Sequence, residues 1–108
     1  MTKEAAIRGY LPMTESMYYI LLSLTKPRHG YAVMLHVGVI TSERVRVGPG
    51  TIYNSLGRLE RDGLIRLAAE DDRRKTYAIT ALGRHVLEAE VRRLKELYSN
   101  GANEIGPL

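Results

Sequence analysis

Apolar residues in the first half of the chain recur at the three- and four-residue spacing of amphipathic helices. One apolar face consists of Met17, Ile20, Leu21 and Leu24, and the next of Tyr31, Met34, Leu35 and Val39. Thr14 suits the N-cap of the first of these helices, and Pro27 limits its end because the residue before a proline avoids helical geometry. The second helix is predicted over about 31–40. A weaker pattern predicts a further short helix over 2–10.

The stretch GPGTIYNSLGRLERDGLI, residues 48–65, contains the helix with the clearest ends. Gly48 is acceptable at the N-cap, and Pro49 occupies the first helical position, where its missing N–H costs no hydrogen bond. Gly63 lies where helices commonly end in a left-handed residue. The apolar stripe of this segment consists of Ile52, Leu56 and Leu59. We predict a helix over about 49–62 with polar residues on its remaining faces.

The second half of the chain predicts extended backbone and then a long helix. Residues 42–47 alternate arginine with valine, which indicates an extended segment. Residues 64–69 and 75–79 are predicted strands of a β-hairpin with its turn at 70–74. Thr80 then begins a last helix, whose apolar face is wider than one flank of a small domain needs. This face consists of Leu82, Val86, Leu87, Val91, Leu94, Leu97 and Tyr98.

The composition indicates one globular domain with an aliphatic core. The chain has 108 residues, of which 44% are hydrophobic and 26% charged, and it contains neither Phe nor Trp. The absence of cysteine excludes disulfides and thiolate chemistry. The sequence shows no apolar run long enough for a membrane span and no signal-peptide core, so a cytoplasmic protein is expected.

The basic charge is concentrated in the middle of the chain. Residues 26–75 contain ten Lys and Arg against six Asp and Glu, whereas the remaining residues contain six of each kind. Any polyanion is therefore expected to meet the middle of the chain. An ordinary solvated surface is the alternative interpretation of this charge.

The order helix, helix, well-capped helix and β-hairpin is that of a winged helix-turn-helix. The predicted fold class is mainly α (α+β), with a two-stranded wing and a C-terminal helix. We divide the chain into a winged-helix domain 1–79, a helix 80–98 packed on the same domain, and a flexible tail 99–108 indicated by Asn, Gly and Pro. In such folds the recognition helix, here about 49–62, enters the DNA major groove, and the wing, here 66–79, lies on the backbone.

The charged run DDRRK forms the tip of the predicted wing. Its bases Arg73, Arg74 and Lys75 are expected to contact phosphates, while its two acids favour a tight turn and hold the arginines when DNA is absent. The amides at the start of the recognition helix suit a phosphate, and Asn54 and Arg58 suit adenine and guanine. A polar hairpin tip and a solvent-facing helix are the alternatives.

Three stretches of the sequence together resemble the PadR family of bacterial transcriptional regulators. They are HGY at 29–31, the stretch at 48–65, and DDRRKTYAIT followed by ALG at 71–83. The resemblance covers roughly 13–98 and is to the short members with one C-terminal helix. It implies a homodimeric repressor that binds a pseudo-palindromic duplex with half-sites about one helical turn apart. It leaves open whether a small-molecule inducer binds.

The predicted elements and the resemblance together give two sets of candidate site residues. The candidate DNA-binding residues are Tyr31, Pro49, Gly50, Thr51, Tyr53, Asn54, Ser55, Arg58, Arg73, Arg74 and Lys75. The candidate residues of the dimer interface, on a dimerisation helix that crosses to the partner subunit, are Val86, Leu87, Val91, Leu94, Leu97 and Tyr98. Some short members bind planar drugs with a tryptophan of this helix, which is absent here. Drug sensing is therefore not carried over, although Tyr10, Tyr18, Tyr19 and Tyr98 are available aromatic residues.

Two other classes of function compete with DNA binding. Enzymatic activity is not expected, because residues 48–51 lack the lysine of a phosphate-binding loop and no Gly-x-Ser-x-Gly motif is present. His29, His36 and His85 lack a spacing typical of metal sites, so no cofactor is predicted. A winged helix that binds a protein or RNA remains the alternative. The position of the basic residues on the recognition helix and wing favours DNA.

Overall fold

The computed structural model describes all 108 residues as five helices and one small sheet. The elements in chain order are α1 Lys3–Tyr10, α2 Glu15–Ser23, β1 Arg28–His29, α3 Gly30–Ile40, α4 Pro49–Arg61, β2 Ile65–Asp71, β3 Arg74–Ile79 and α5 Ala81–Ile105. Helices α2, α3 and α4 pack together, and α5 packs against α1 and α2. The three helices followed by a hairpin form the predicted winged helix-turn-helix. No helix is both long enough and apolar enough to cross a membrane.

The predicted helix ends are present as specific caps. The side chains of Thr14 and Thr80 each accept a hydrogen bond at 3.1 Å from the backbone N–H three residues further on. Gly48 precedes α4, and Pro49 is its first residue. Gly63 follows α4 with a φ of 79°, which places it in the left-handed region that favours glycine.

The core is built from aliphatic side chains, as the composition predicts. The stripe of α4 packs into it, since Ile52, Leu56 and Leu59 are all buried. The largest fully buried apolar side chains are Ile20, Leu21, Leu24, Val33, Val37, Ile52, Leu59, Leu64, Ile65 and Val86. Such a cluster excludes water from the contacts among helices and thereby sets the orientation of α4.

The sheet differs from the prediction in its extent. It has three antiparallel strands in the order β1-β3-β2, and β1 is absent from the prediction because two residues carry no alternating pattern. The hairpin strands are longer than predicted, so the turn consists of Asp72 and Arg73 alone. Asp72 has a φ of 50°, a conformation that Asp tolerates better than most residues.

Residues 42–47 do not form a strand. Val45 and Val47 are buried while Arg44 and Arg46 are exposed, so the predicted alternation is confirmed. The segment lacks a partner for a β-ladder, and Ser42 and Glu43 have positive φ angles. The valines are therefore anchored in the core by a loop.

The break expected after residue 98 is wrong, because α5 continues to Ile105. Asn100 and Gly101 belong to the predicted tail, yet they lie inside the helix. Extending an existing helix adds one hydrogen bond per residue without a new nucleation cost. Continuation through Gly101 therefore costs roughly 1 kcal/mol relative to alanine but no new nucleation. The helix ends at Gly106, whose φ is 87°.

Candidate nucleic-acid interface

Helix α4 presents an exposed polar face and an open N-terminus. Its N-cap is Gly48, which forms no side-chain hydrogen bond with the first turn, so the first amides of the helix lack a side-chain partner. Pro49, Gly50 and Thr51 around this end are exposed, and they are small. The face also exposes Tyr53, Asn54 and Arg61, while Ser55 is half-buried. An anion can therefore approach the positive end of the helix closely.

A groove of about 360 Å³ separates the start of α3, helix α4 and the wing. Its lining residues come from three distant parts of the sequence: His29, Gly30, Tyr31, Tyr53, Arg73, Arg74, Lys75 and Tyr77. The fold thus gathers five of the predicted DNA-binding residues, one from α3, one from α4 and three from the wing. His29 and Tyr77 also line the groove but were not among the predicted site residues. The two residues reach the groove because strand β1, which contains His29, pairs with strand β3, which contains Tyr77.

The contact between α3 and Tyr53 depends on Gly30. A Cβ atom at this position would lie 2.9 Å from Cε1 of Tyr53, which is too close for carbon atoms that are not bonded. Glycine therefore allows the tyrosine ring to lie against the start of α3. This packing explains why the HGY stretch and the start of α4 meet at one wall of the groove.

The basic side chains of the wing are free of internal partners. Arg73, Arg74 and Lys75 are exposed and take part in none of the five ion pairs of the structure. The expectation that Asp71 and Asp72 hold the arginines is wrong, because no wing acid lies within ion-pair distance of a base. The three cations are consequently available to a phosphate without first breaking an internal contact.

Arg58 is not placed as the sequence interpretation expected. Its guanidinium carbon lies 4.3 Å from the ring centroid of Tyr10, and one of its nitrogens donates to the carbonyl of Gly9 at 3.4 Å. Its Nε lies 3.9 Å from Asp62, whose Oδ2 accepts a 2.7 Å hydrogen bond from the Tyr10 hydroxyl. We call these residues the Tyr10–Arg58–Asp62 cluster. Burial and the neighbouring Asp62 carboxylate raise the pKa of Tyr10. The cluster holds α4 to α1, so Arg58 is engaged away from the groove.

The predicted interface residues of α5 separate into two groups. Val86 and Leu87 are buried in the core of their own chain, so they are not free to contact a partner, and this part of the prediction is wrong. Val91, Leu94, Leu97 and Tyr98 are exposed. The second half of α5 extends beyond the other helices, and no residue after Glu90 is buried. An apolar surface therefore remains on its second half.

Glu90 marks the end of the packed half of α5. Its buried carboxylate accepts a 2.9 Å hydrogen bond from the backbone N–H of Met13 and pairs with Arg93. The pKa of Glu90 is lowered mainly because its carboxylate accepts a hydrogen bond from the guanidinium of Arg93. Tyr18 and Tyr19 lie nearby in an edge-to-face arrangement with ring centroids 5.3 Å apart. No group of three or more His, Cys, Asp or Glu side chains is arranged to hold a metal ion.

The chain is similar to known regulators in sequence and in fold. The family model described as "Transcriptional regulator PadR-like family" matches residues 17–89. The transcriptional regulator Rv3488 of Mycobacterium tuberculosis is 37% identical over 73 residues, which are 65% of this chain and 55% of that protein. An uncharacterized 37.1 kDa protein in transposon Tn4556 of Streptomyces fradiae is 35% identical over 71 residues, 66% of this chain and 20% of that protein.

A solved structure supports the same relationship. A PadR-like transcription factor from Bacteroides fragilis superposes with a TM-score of 0.69 at 27% identity, covering 95% of this chain and 97% of that one. The winged-helix fold is thereby confirmed. The two sequence relatives are longer proteins, since the chain spans a fifth of one and about half of the other.

Proposed function

Because the chain belongs to the PadR-like family of transcriptional regulators, which are not enzymes, we propose that it binds a specific duplex DNA sequence as a homodimer and represses transcription. Helix α4 enters the major groove, and the wing lies along the adjacent backbone. The observation that carries this proposal is the groove in which the wing cations face two exposed tyrosines, Tyr31 and Tyr53.

The roles of the interface residues follow from their positions. Arg73, Arg74 and Lys75 contact phosphates, because they are cationic, exposed and unpaired. Asn54 is exposed on α4 and has the donor and acceptor that pair with adenine. The small, exposed residues at the start of α4 let its amides meet a phosphate. Base recognition consequently depends on Asn54 and its neighbours, not on Arg58.

The homodimer forms through the second half of α5. Val91, Leu94, Leu97 and Tyr98 place an exposed apolar surface on a helix of 25 residues. Soluble proteins rarely leave such a surface unpaired, and the same helix of a second copy buries it symmetrically. Two recognition helices related by a twofold axis read a pseudo-palindrome, with half-sites about one helical turn apart.

Contact with another protein is the second candidate function, and one observation favours it. Helix α3 exposes Tyr31, Leu35, Val39 and Ile40 on its surface. Exposed apolar residues of this kind are more typical of a protein interface than of a DNA-binding surface. DNA binding is favoured because the unpaired cations lie on the wing and beside α4.

The proposal is tested by fluorescence anisotropy with the purified protein. The probes are a duplex from upstream of its own gene and a scrambled duplex of the same composition, each at low and at physiological salt. The proposal requires tight binding that selects the first duplex and weakens steeply with salt. Selection of a sequence from a random duplex library supplies the operator if the upstream duplex does not contain it. Failure to bind or select any duplex would refute DNA recognition and leave protein contact as the favoured function.

A further inference from the structure

The groove contains a histidine whose ring is held by the backbone. His29 is the N-cap of α3, and its Nδ1 accepts a 3.3 Å hydrogen bond from the backbone N–H of Ala32. A ring nitrogen that accepts a hydrogen bond carries no proton, so the hydrogen of the neutral imidazole is on Nε2. The cap therefore selects one tautomer of the ring.

The Nε2 atom of His29 has no partner within the protein. The ring forms only the bond to Ala32, and every buried side-chain nitrogen or oxygen of the structure has a partner, so Nε2 reaches solvent. The side chain lines the groove together with the wing bases. The backbone of His29 is paired with Thr76 of β3, which ties the ring to the strand that follows the wing tip.

We propose that His29 donates a hydrogen bond from Nε2 to a DNA backbone phosphate held in the groove between α4 and the wing. The inference rests on the proposed function and adds a contact residue to it. The wing bases attract a phosphate by charge and hydrogen bonding, but they are exposed and no ion pair within the protein holds them in place. A ring N–H fixed by a helix cap defines where a phosphate oxygen lies, and thereby sets the register of α4 on the duplex.

Substitutions of His29 separate the cap from the donor. Serine also caps helices, but its hydroxyl lies close to the backbone and is too short to reach a phosphate in the groove. His29→Ser is therefore expected to retain the melting temperature and to bind about tenfold more weakly to a duplex that the wild type has selected from a random library. His29→Asn has both a capping oxygen and an N–H donor, and is expected to bind more tightly than His29→Ser.

The salt dependence distinguishes a neutral donor from a charge. The slope of log affinity against log salt, measured from about 50 to about 200 mM, is expected to be unchanged in His29→Ser. Lys75→Ala is the matched control, and its slope is expected to be shallower by about 0.9. Binding is measured well below the melting temperatures of all variants, and His29→Thr replaces the serine variant if the latter is unstable.

Three results would overturn the inference while the wild type still binds its selected duplex. These are wild-type affinity in His29→Ser, equal losses in the serine and asparagine variants, and a salt slope that falls as in Lys75→Ala. Failure of the wild type to select or bind any duplex would instead refute the proposed function on which the inference rests.

Discussion

Replacement of Arg58 by alanine is expected to lower stability without changing sequence discrimination. The substitution removes the contact of the guanidinium with the Tyr10 ring, a long hydrogen bond to Gly9 and a long ion pair with Asp62. A partly exposed cation–π contact contributes about 0.5–1 kcal/mol, and each of the other two about 0.5 kcal/mol or less. The expected loss in the free energy of unfolding is therefore about 0.5–2 kcal/mol.

Two measurements on the same protein preparations test this expectation. Thermal unfolding at a fixed protein concentration is expected to show a decrease of about 4–8 °C for each kcal/mol lost. Anisotropy below the unfolding range gives the ratio of affinities for the selected and scrambled duplexes, which is expected to equal that of the wild type. Arg61→Ala is the matched control, because Arg61 is an exposed arginine of the same helix without a hydrogen bond or ion pair. Its stability is expected to stay within about 0.5 kcal/mol of the wild type.

The opposite pattern would refute the placement of Arg58. An unchanged melting temperature together with a reduced affinity ratio would mean that the side chain leaves the Tyr10–Arg58–Asp62 cluster and reads a base. Tyr10→Phe provides an independent check, since it keeps the ring under the guanidinium and removes only the hydrogen bond to Asp62. It is expected to destabilise the protein by about 1 kcal/mol.

Four further predictions concern the wing, α4 and α5. Changing both Arg73 and Arg74 to alanine is expected to weaken binding to all duplexes and to reduce the salt slope by about 1.8, and unchanged anisotropy titrations would remove the wing from the interface. Asn54→Ala is expected to cost about 1–3 kcal/mol on the selected duplex and to relax its sequence preference, whereas an equal loss on scrambled DNA would make Asn54 a phosphate contact. Leu94→Glu is expected to produce monomers by light scattering with much weaker duplex binding, and a monomeric wild type would contradict the dimer proposal directly. Because the folded-state pKa of Glu90 is lowered, its contribution to stability is present above its unfolded pKa and is lost as pH falls through the folded pKa. Urea unfolding across acidic pH is therefore expected to show a smaller loss of stability in Glu90→Gln than in the wild type, and parallel pH profiles would contradict this.

The parts of the fold that short-range patterns encode were predictable. Helices α2, α4 and α5 begin where local capping chemistry places their starts, at Thr14, Gly48 and Thr80. Helix α4 also ends as predicted, just before Gly63. The stripe of Ile52, Leu56 and Leu59 identified the buried face of α4 because helical periodicity depends only on residue spacing. The wing was likewise predictable, since two short strand-like segments on either side of a charged turn are a local signal.

The errors arose where distant residues decide the outcome. Strand β1 exists only because β3 pairs with it, and α5 passes through Asn100 and Gly101 because its preceding turns already supply a hydrogen-bonded helix. Val86 and Leu87 lie on the same apolar face as Leu94, but the bodies of the other helices reach only the first half of α5. Periodicity reports which residues share a face and says nothing about which partner covers it.

Residue spacing along the chain specified helices α2 to α4, the hairpin and the start of α5, the caps at Thr14, Gly48 and Thr80, the aliphatic core and a basic wing beside an exposed helix. The packing of the elements against one another set which side chains meet. It turned Arg58 toward Tyr10, left Arg73 and Arg74 without partners, and placed His29 in the same groove as Tyr53. The physical reason is that caps and stripes depend on residues three or four positions apart, whereas a groove depends on the packing of segments that are far apart in the chain.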